Sequence, residues 1–336
     1  MNQSKFSFAD VLTVVATIVF GFVCFMGANF LNIGNDKVWG MPHTAGCVVM
    51  ALVCSVLLFA TSFGAKLLKR TSGTFKTYFV WEVILLTLFV LFAVFFATKT
   101  SPFMHYFTVA AQKLEINSKL QTSITQAENM FAAYESYAEI RENLYKSKLQ
   151  SVVDAERRDP DTFAKYGFKP TSDVSGITQI ETKMFPIHAG LFPSNYSDTT
   201  ANNGIKEVAT NWLQNAKNTT SSWKPIGIVG VVNDIEKNST DWLNTLNTLS
   251  QVPEPFEKPF DFEYLLSFKD VKTHFTKLYS PSPFSIGLAV LAYVLMLLTY
   301  IITIRSTKST YGFRALFRVL FSQKQKKTGG DFDIEY

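Results

Sequence analysis

Charge and cysteine are both scarce in this chain. Only 18% of its 336 residues are Asp, Glu, Lys or Arg, and it carries 3 cysteines. An average soluble domain is about a quarter charged. Cys24, Cys47 and Cys54 all lie in apolar blocks, where a thiol behaves as a small hydrophobe. Residues 100–283 contain no cysteine, so that stretch is built without a disulfide framework. Glycine and proline are missing from residues 103–159, which removes the usual helix breakers there. Complete catalytic, metal and nucleotide motifs are missing as well. His43, His105, His188 and His274 have no second ligand at a recognised spacing. Gly227 and Gly230 lack the third glycine of a phosphate loop, and no local Ser-His-Asp or Cys-His motif occurs. The expectation is a protein that is not an enzyme, has no cofactor and binds no nucleic acid.

Apolar residues, by contrast, are abundant: they make up 47% of the chain, with 31 Phe. They are concentrated in blocks, which excludes both a single large soluble core and a disordered chain. Four blocks meet the bilayer criterion of about 18 or more apolar residues. They span residues 11–31, 44–63, 77–98 and 284–304, and Glu82 is the one charge inside them. The loop 64–76 carries Lys66, Lys69, Arg70 and Lys76 with no acid, and the tail 305–336 is also basic. Basic flanks stay in the cytoplasm. The reading is mainly α: a four-span helical membrane protein with both termini cytoplasmic. A large, mostly helical extracytoplasmic domain, residues 100–283, then lies between spans three and four. That domain is charge-balanced, with 18 basic and 21 acidic residues. The order of spans and loops resembles that of the tetraspanins in topology only, because the Cys-Cys-Gly motif of their outer loop has no counterpart in residues 100–283.

Ser101-Pro102 offers a helix start, and a long helix is expected over residues 102–157, either as a rod or broken near Asn117-Ser118. Leu120, Ile124, Ala127, Phe131, Tyr134, Ala138, Arg141 and Tyr145 recur at alternating spacings of four and three. That coiled-coil-like stripe must be buried. Phe131, Tyr134, Arg141 and Tyr145 are the candidate partner-binding seam, with Arg141 suggesting a partly wet or inter-chain contact. Residues 166–203 read as irregular with one or two short strands, 205–215 as a helix, 223–232 as a turn and strand-like run, 234–250 as a helix and 260–279 as a last helix. Asn195, Asn218 and Asn238 head glycosylation acceptor triplets.

Glu82 is the candidate ion-coupling residue, because an intramembrane acid is costly and functional by default. The plainer reading outweighs it: Glu82 is shallow and snorkels toward Lys76, Lys69 or Arg70. In the tail, Phe317 lies on the apolar side of a helix whose other side carries Arg314 and Arg318, followed by Lys324. That pattern suits contact with an anionic membrane surface, and a simple positive-inside stop signal explains it equally well. The favoured function is a structural or assembly component of a multi-protein cell envelope complex. Its partners are the membrane and other envelope proteins or copies of itself. The alternatives are an ion- or proton-coupled subunit using Glu82, and a sensor with a separate cytoplasmic output partner. A bacterial inner membrane with a periplasmic domain is the simplest location. Cysteine introduced as Ser72→Cys should label only from the cytoplasmic side and Ser197→Cys only from outside. Labelling of both from one side would overturn this topology.

Overall fold

The computed structural model describes residues 7–70, 76–197, 203–252, 260–262 and 266–305. It divides into two units, one formed by residues 1–111 with 276–336 and the other by residues 112–275. The first holds α1 (Phe8–Leu31), α2 (His43–Arg70), α3 (Lys76–Phe96), α4 (Pro102–Ala111) and α11 (Pro283–Ile302). Of these, α1, α2, α3 and α11 are long and apolar enough to cross a membrane, and each begins within a few residues of its expected start. A two-residue hairpin of β1 (Lys37–Val38) and β2 (Met41–Pro42) joins α1 to α2. Its apex residues Trp39 and Gly40 both have positive φ, 53° and 77°, as a type I′ turn demands. The glycine takes that conformation freely, whereas the indole is held there against its preference.

Phe20, Cys24, Leu58, Phe89, Met104 and Met296 fill the interior of this unit. The apolar α4 belongs to this core, so the boundary between units falls at Gln112 and not at residue 100. Its first residue packs directly on α1: a Cβ on Gly27 would sit 1.8 Å from the Pro102 carbonyl oxygen. Phe20 stacks on Phe103 with ring centroids 4.6 Å apart.

The helix expected over 102–157 is interrupted at Gln112 and ends at Asp154. No glycine or proline causes the interruption. The sequence changes character there, from the apolar PFMHYFTVAA of α4 to the polar, single-striped α5 (Lys113–Asp154), and each half serves its own core. The second unit then continues with α6 (Pro160–Lys165), α7 (Gly176–Leu191), α8 (Ile205–Ser221), α9 (Pro225–Ser250) and α10 (Leu266–Thr276).

Several expectations are corrected in this unit, among them the last helix, which is shorter than 260–279 and runs over Leu266–Thr276. Residues 166–203 contain a 16-residue helix, α7, despite Gly176 and Pro186. Gly176 sits at its start and leaves room for Val153, whose Cγ1 would lie 2.6 Å from an added Cβ. The run 223–232 is the beginning of α9, with Pro225 in its first turn. Its β-branched residues suggest a strand, but Ile228, Val232 and Ile235 face inward at helical spacing and burial decides.

Every member of the stripe from Leu120 to Tyr145 is buried. Phe131 and Tyr134 pack among Ala209, Leu213, Ile235 and Leu246 of α8 and α9, and Tyr145 packs with Ile180 and Ile187 of α7. The seam is therefore covered by the chain's own helices. Two stripe residues also close helix ends. Tyr134 donates its hydroxyl to the Leu191 carbonyl at 2.7 Å, at the last residue of α7. Arg141 donates to the Ser250 carbonyl at the end of α9 and to Val252 O at 3.1 Å. A cation on the last carbonyls of a helix meets both their lone pairs and the negative end of its dipole. Arg141 is thus a buried cap, contrary to the wet contact expected.

For the 112–275 unit, Phe131→Ala should cost about 3–5 kcal/mol, Tyr134→Phe about 1 kcal/mol and the exposed Leu144→Ala under about 0.5 kcal/mol, read by urea unfolding. Equal losses at all three would contradict this core. Thr171, through its hydroxyl and amide, holds the Glu156 carboxyl below its ordinary range. Thr162 does the same for Asp159. Depressed carboxylates contribute stability above their unfolded pKa of about 4 and lose it as pH falls through the folded value. The melting temperature should therefore drop below about pH 4, less steeply in Thr171→Val than in the wild type.

Candidate functional site: two buried charge clusters

Glu82 lies in the second turn of α3 and is fully buried. Its Oε1 accepts from the Tyr300 hydroxyl at 2.7 Å and from Arg305 at 2.5 Å. The Arg305 guanidinium in turn lies over the Phe79 ring, 5.5 Å from its centroid. Glu82 is therefore paired with Tyr300 of α11 and with Arg305, three residues past that helix, not with Lys69 or Arg70; the side chain of Lys76 lies outside the described residues. Lys69 instead donates to the Tyr300 carbonyl at 2.8 Å and sits 4.4 Å over the same tyrosine ring. The Oε2 of Glu82 is buried with no partner among the described residues.

Nor is Glu82 the sole ionisable group within the apolar helices. Asp10, in the first turn of α1, and Lys66, near the end of α2, are 5% and 6% exposed and form an ion pair. The Thr299 hydroxyl of α11 donates to the same Asp10 oxygen, Oδ1. The second oxygen accepts the Ser7 amide at 3.0 Å, capping α1. Three helices thus converge on one carboxylate. Because Thr299 and Tyr300 are consecutive, the two clusters adjoin across α11. Asp10 and Lys66 read as flanking charges in the sequence, and their burial is a property of the fold.

The remaining candidates fall elsewhere. Phe131, Tyr134, Arg141 and Tyr145 form the interior of the second unit, as described above. Arg314, Phe317, Arg318 and Lys324 lie outside the described residues. Among the described residues no group of His, Cys, Asp and Glu could hold a metal. His43 hydrogen-bonds Asn35 O at 2.9 Å and Asn29 Oδ1 at 3.1 Å, and His188 contacts Glu142 at 2.8 Å. Asn195 and Asn218 are exposed and Asn238 is half-buried.

Chemically, each cluster matches one carboxylate to one basic side chain and one hydroxyl. Such pairs hold helices in register. They move protons only if a partner is released. Comparison with protein-family models, with curated proteins and with solved structures finds no match to this chain.

Removing one partner strands the other. Lys66→Met should lower stability in detergent by about 3–5 kcal/mol, whereas Asp10→Leu combined with Lys66→Met should recover most of that loss. Glu82→Gln should cost less, because an amide oxygen still accepts from Tyr300. A double variant as unstable as the sum of its singles would show that the pair does not act as a unit.

Proposed function

We propose that this chain is an integral membrane assembly component: a four-helix anchor presenting a helical module, residues 112–275, to another envelope protein. The observation that carries the reading is the pairing of the buried charges. Asp10 with Lys66 and Glu82 with Arg305 tie the anchor's helices together near their ends. Between those ends the interior is apolar, with Phe20, Leu58, Phe89 and Met296 at its centre. Solute pathways normally place ionisable or broken-helix elements near the midplane. The basic loop and tail favour a placement of residues 112–275 outside the cytoplasm, and a bacterial inner membrane is the simplest setting.

With the stripe from Leu120 to Tyr145 used internally, the partner must engage outward-facing residues. Ile140 and Leu144, one turn apart on α5, are 58% and 51% exposed, and Phe185 of α7 is 73% exposed. A second reading, proton coupling, rests on a single atom, the buried Glu82 Oε2, which has no partner among the described residues.

Two measurements separate these readings. Tagged full-length chain should bring down a specific envelope protein, and Ile140→Asp with Leu144→Asp should release it without lowering the melting temperature by more than a few degrees. Reconstituted in vesicles, the wild type and Glu82→Gln should show the same proton leak. A proton flux lost in Glu82→Gln, with no protein brought down, would replace the assembly reading with the coupled one.

A further inference from the structure

Within the first unit, a cleft of about 760 Å³ runs between α2 and α3. Its walls are apolar: Val53 and Leu57 come from α2, Leu91 and Phe95 from α3. Polar groups occur at one end alone, where Asn32, Trp39, Thr100 and Ser101 meet. That end is set by the chain: Asn32 follows α1, Trp39 precedes α2 and Ser101 follows α3. Leu57, fourteen residues into α2, lies about 21 Å along the helix from its start.

Three observations give this cleft an occupant. First, its gradient is that of an amphipathic molecule, apolar along its depth and polar at its mouth. Second, Ser101 is 2% exposed and its hydroxyl has no hydrogen-bond partner among the described residues. A buried hydroxyl left unpaired costs about 1–3 kcal/mol. Asn32 and Thr100, by contrast, already bond to Ala28 O at 2.8 Å and the Thr98 hydroxyl at 2.9 Å. Third, Trp39 is held at the mouth at positive φ and is 61% exposed. Tryptophan with an apolar body and an N–H donor is the residue favoured at lipid headgroups.

We propose that the cleft is a phospholipid-binding site. One acyl chain lies between α2 and α3 against Leu57, Leu91 and Phe95, and an ester or headgroup oxygen accepts a hydrogen bond from the Ser101 hydroxyl. The volume lies within the usual 300–1,000 Å³ of small-molecule sites. A partner helix is the poorer fit: at about 10 Å diameter and 5.4 Å pitch it occupies about 420 Å³ per turn. Fewer than two turns of a membrane-crossing helix would be accommodated. The site is independent of the assembly reading and of the charge clusters.

The test is photo-crosslinking of the full-length chain in phosphatidylcholine–phosphatidylglycerol vesicles containing a trace of phospholipid with a diazirine in its acyl chain. Labelled peptides are then located by mass spectrometry. Peptides carrying Leu57, Leu91 and Phe95 should be labelled in preference to the outward face of α1 at Val11, Ile18 and Phe22. Leu57→Trp, which fills the cleft, should erase that preference. Ser101→Ala should weaken saturable labelling about fivefold, the equivalent of one hydrogen bond of ~1 kcal/mol, without lowering the melting temperature. Should Leu57→Trp fail to fold, Ser101→Ala alone decides. Labelling spread evenly over all outward faces, a preference that survives both variants, or crosslinks from the cleft to a second protein chain would overturn the proposal.

Discussion

A carboxylate withdrawn from water has to be met by a cation and by hydrogen-bond donors, and this requirement organises the apolar half of the chain. It arises twice, at Asp10 and at Glu82, and both times α11 supplies part of the answer through neighbouring residues, Thr299 and Tyr300. The helix has no charge of its own from Pro283 to Ile302. It works as a strip of hydroxyls placed between two ion pairs, one joining α1 to α2 and the other joining α3 to the residue beyond α11 itself. Thr13 extends the attachment, donating to the Leu295 carbonyl at 3.1 Å. Close backbone approach completes the arrangement, since the start of α4 lies against α1 where Gly27 has no side chain.

The polar half solves a related problem with different groups. Helix ends leave carbonyls without partners, and burying those ends inside a bundle makes them costly. Tyr134 and Arg141 of α5 sit two turns apart on the buried face and satisfy the ends of α7 and α9. The long helix is thus both the hydrophobic spine and the cap of its neighbours. Outside that core, Glu128 and Glu135 of α5 pair with Lys217 and Lys206 of α8, each at 2.5 Å. These pairs are partly exposed and contribute little individually. Their value is in fixing which face of α8 meets the spine.

Features set by local pattern are legible in the order of residues alone. The four apolar helices and the buried stripe of α5 follow from runs of hydropathy and from spacing, both strong signals over many residues. The breaks are less so. Nothing at Gln112 marks an interruption, because the change there is one of which core each side answers to. The start of α9 reads as a strand by composition, and only its burial against α8 reveals the helical spacing. The charge clusters illustrate the same limit more sharply. Asp10 and Lys66 look like ordinary flanking charges, and Glu82 points by proximity to Lys76, Lys69 or Arg70. Their true partners come from distant parts of the chain, beyond any window that spacing can inspect.

That distance has a temporal side. Arg305 follows Glu82 by 223 residues. A ribosome adding about 5–20 residues per second delivers it roughly 11–45 s later. Throughout that interval the carboxylate of α3 has no cation from beyond α11, while the whole of residues 112–275 is being made. Asp10 receives Lys66 after 56 residues but waits for Thr299 until 289 have passed. Helices α1 to α4 can pack as they are made, whereas the two carboxylates gain their full set of partners only when α11 and Arg305 arrive. The last step of assembling the first unit, the docking of α11, therefore follows synthesis of residues 112–275.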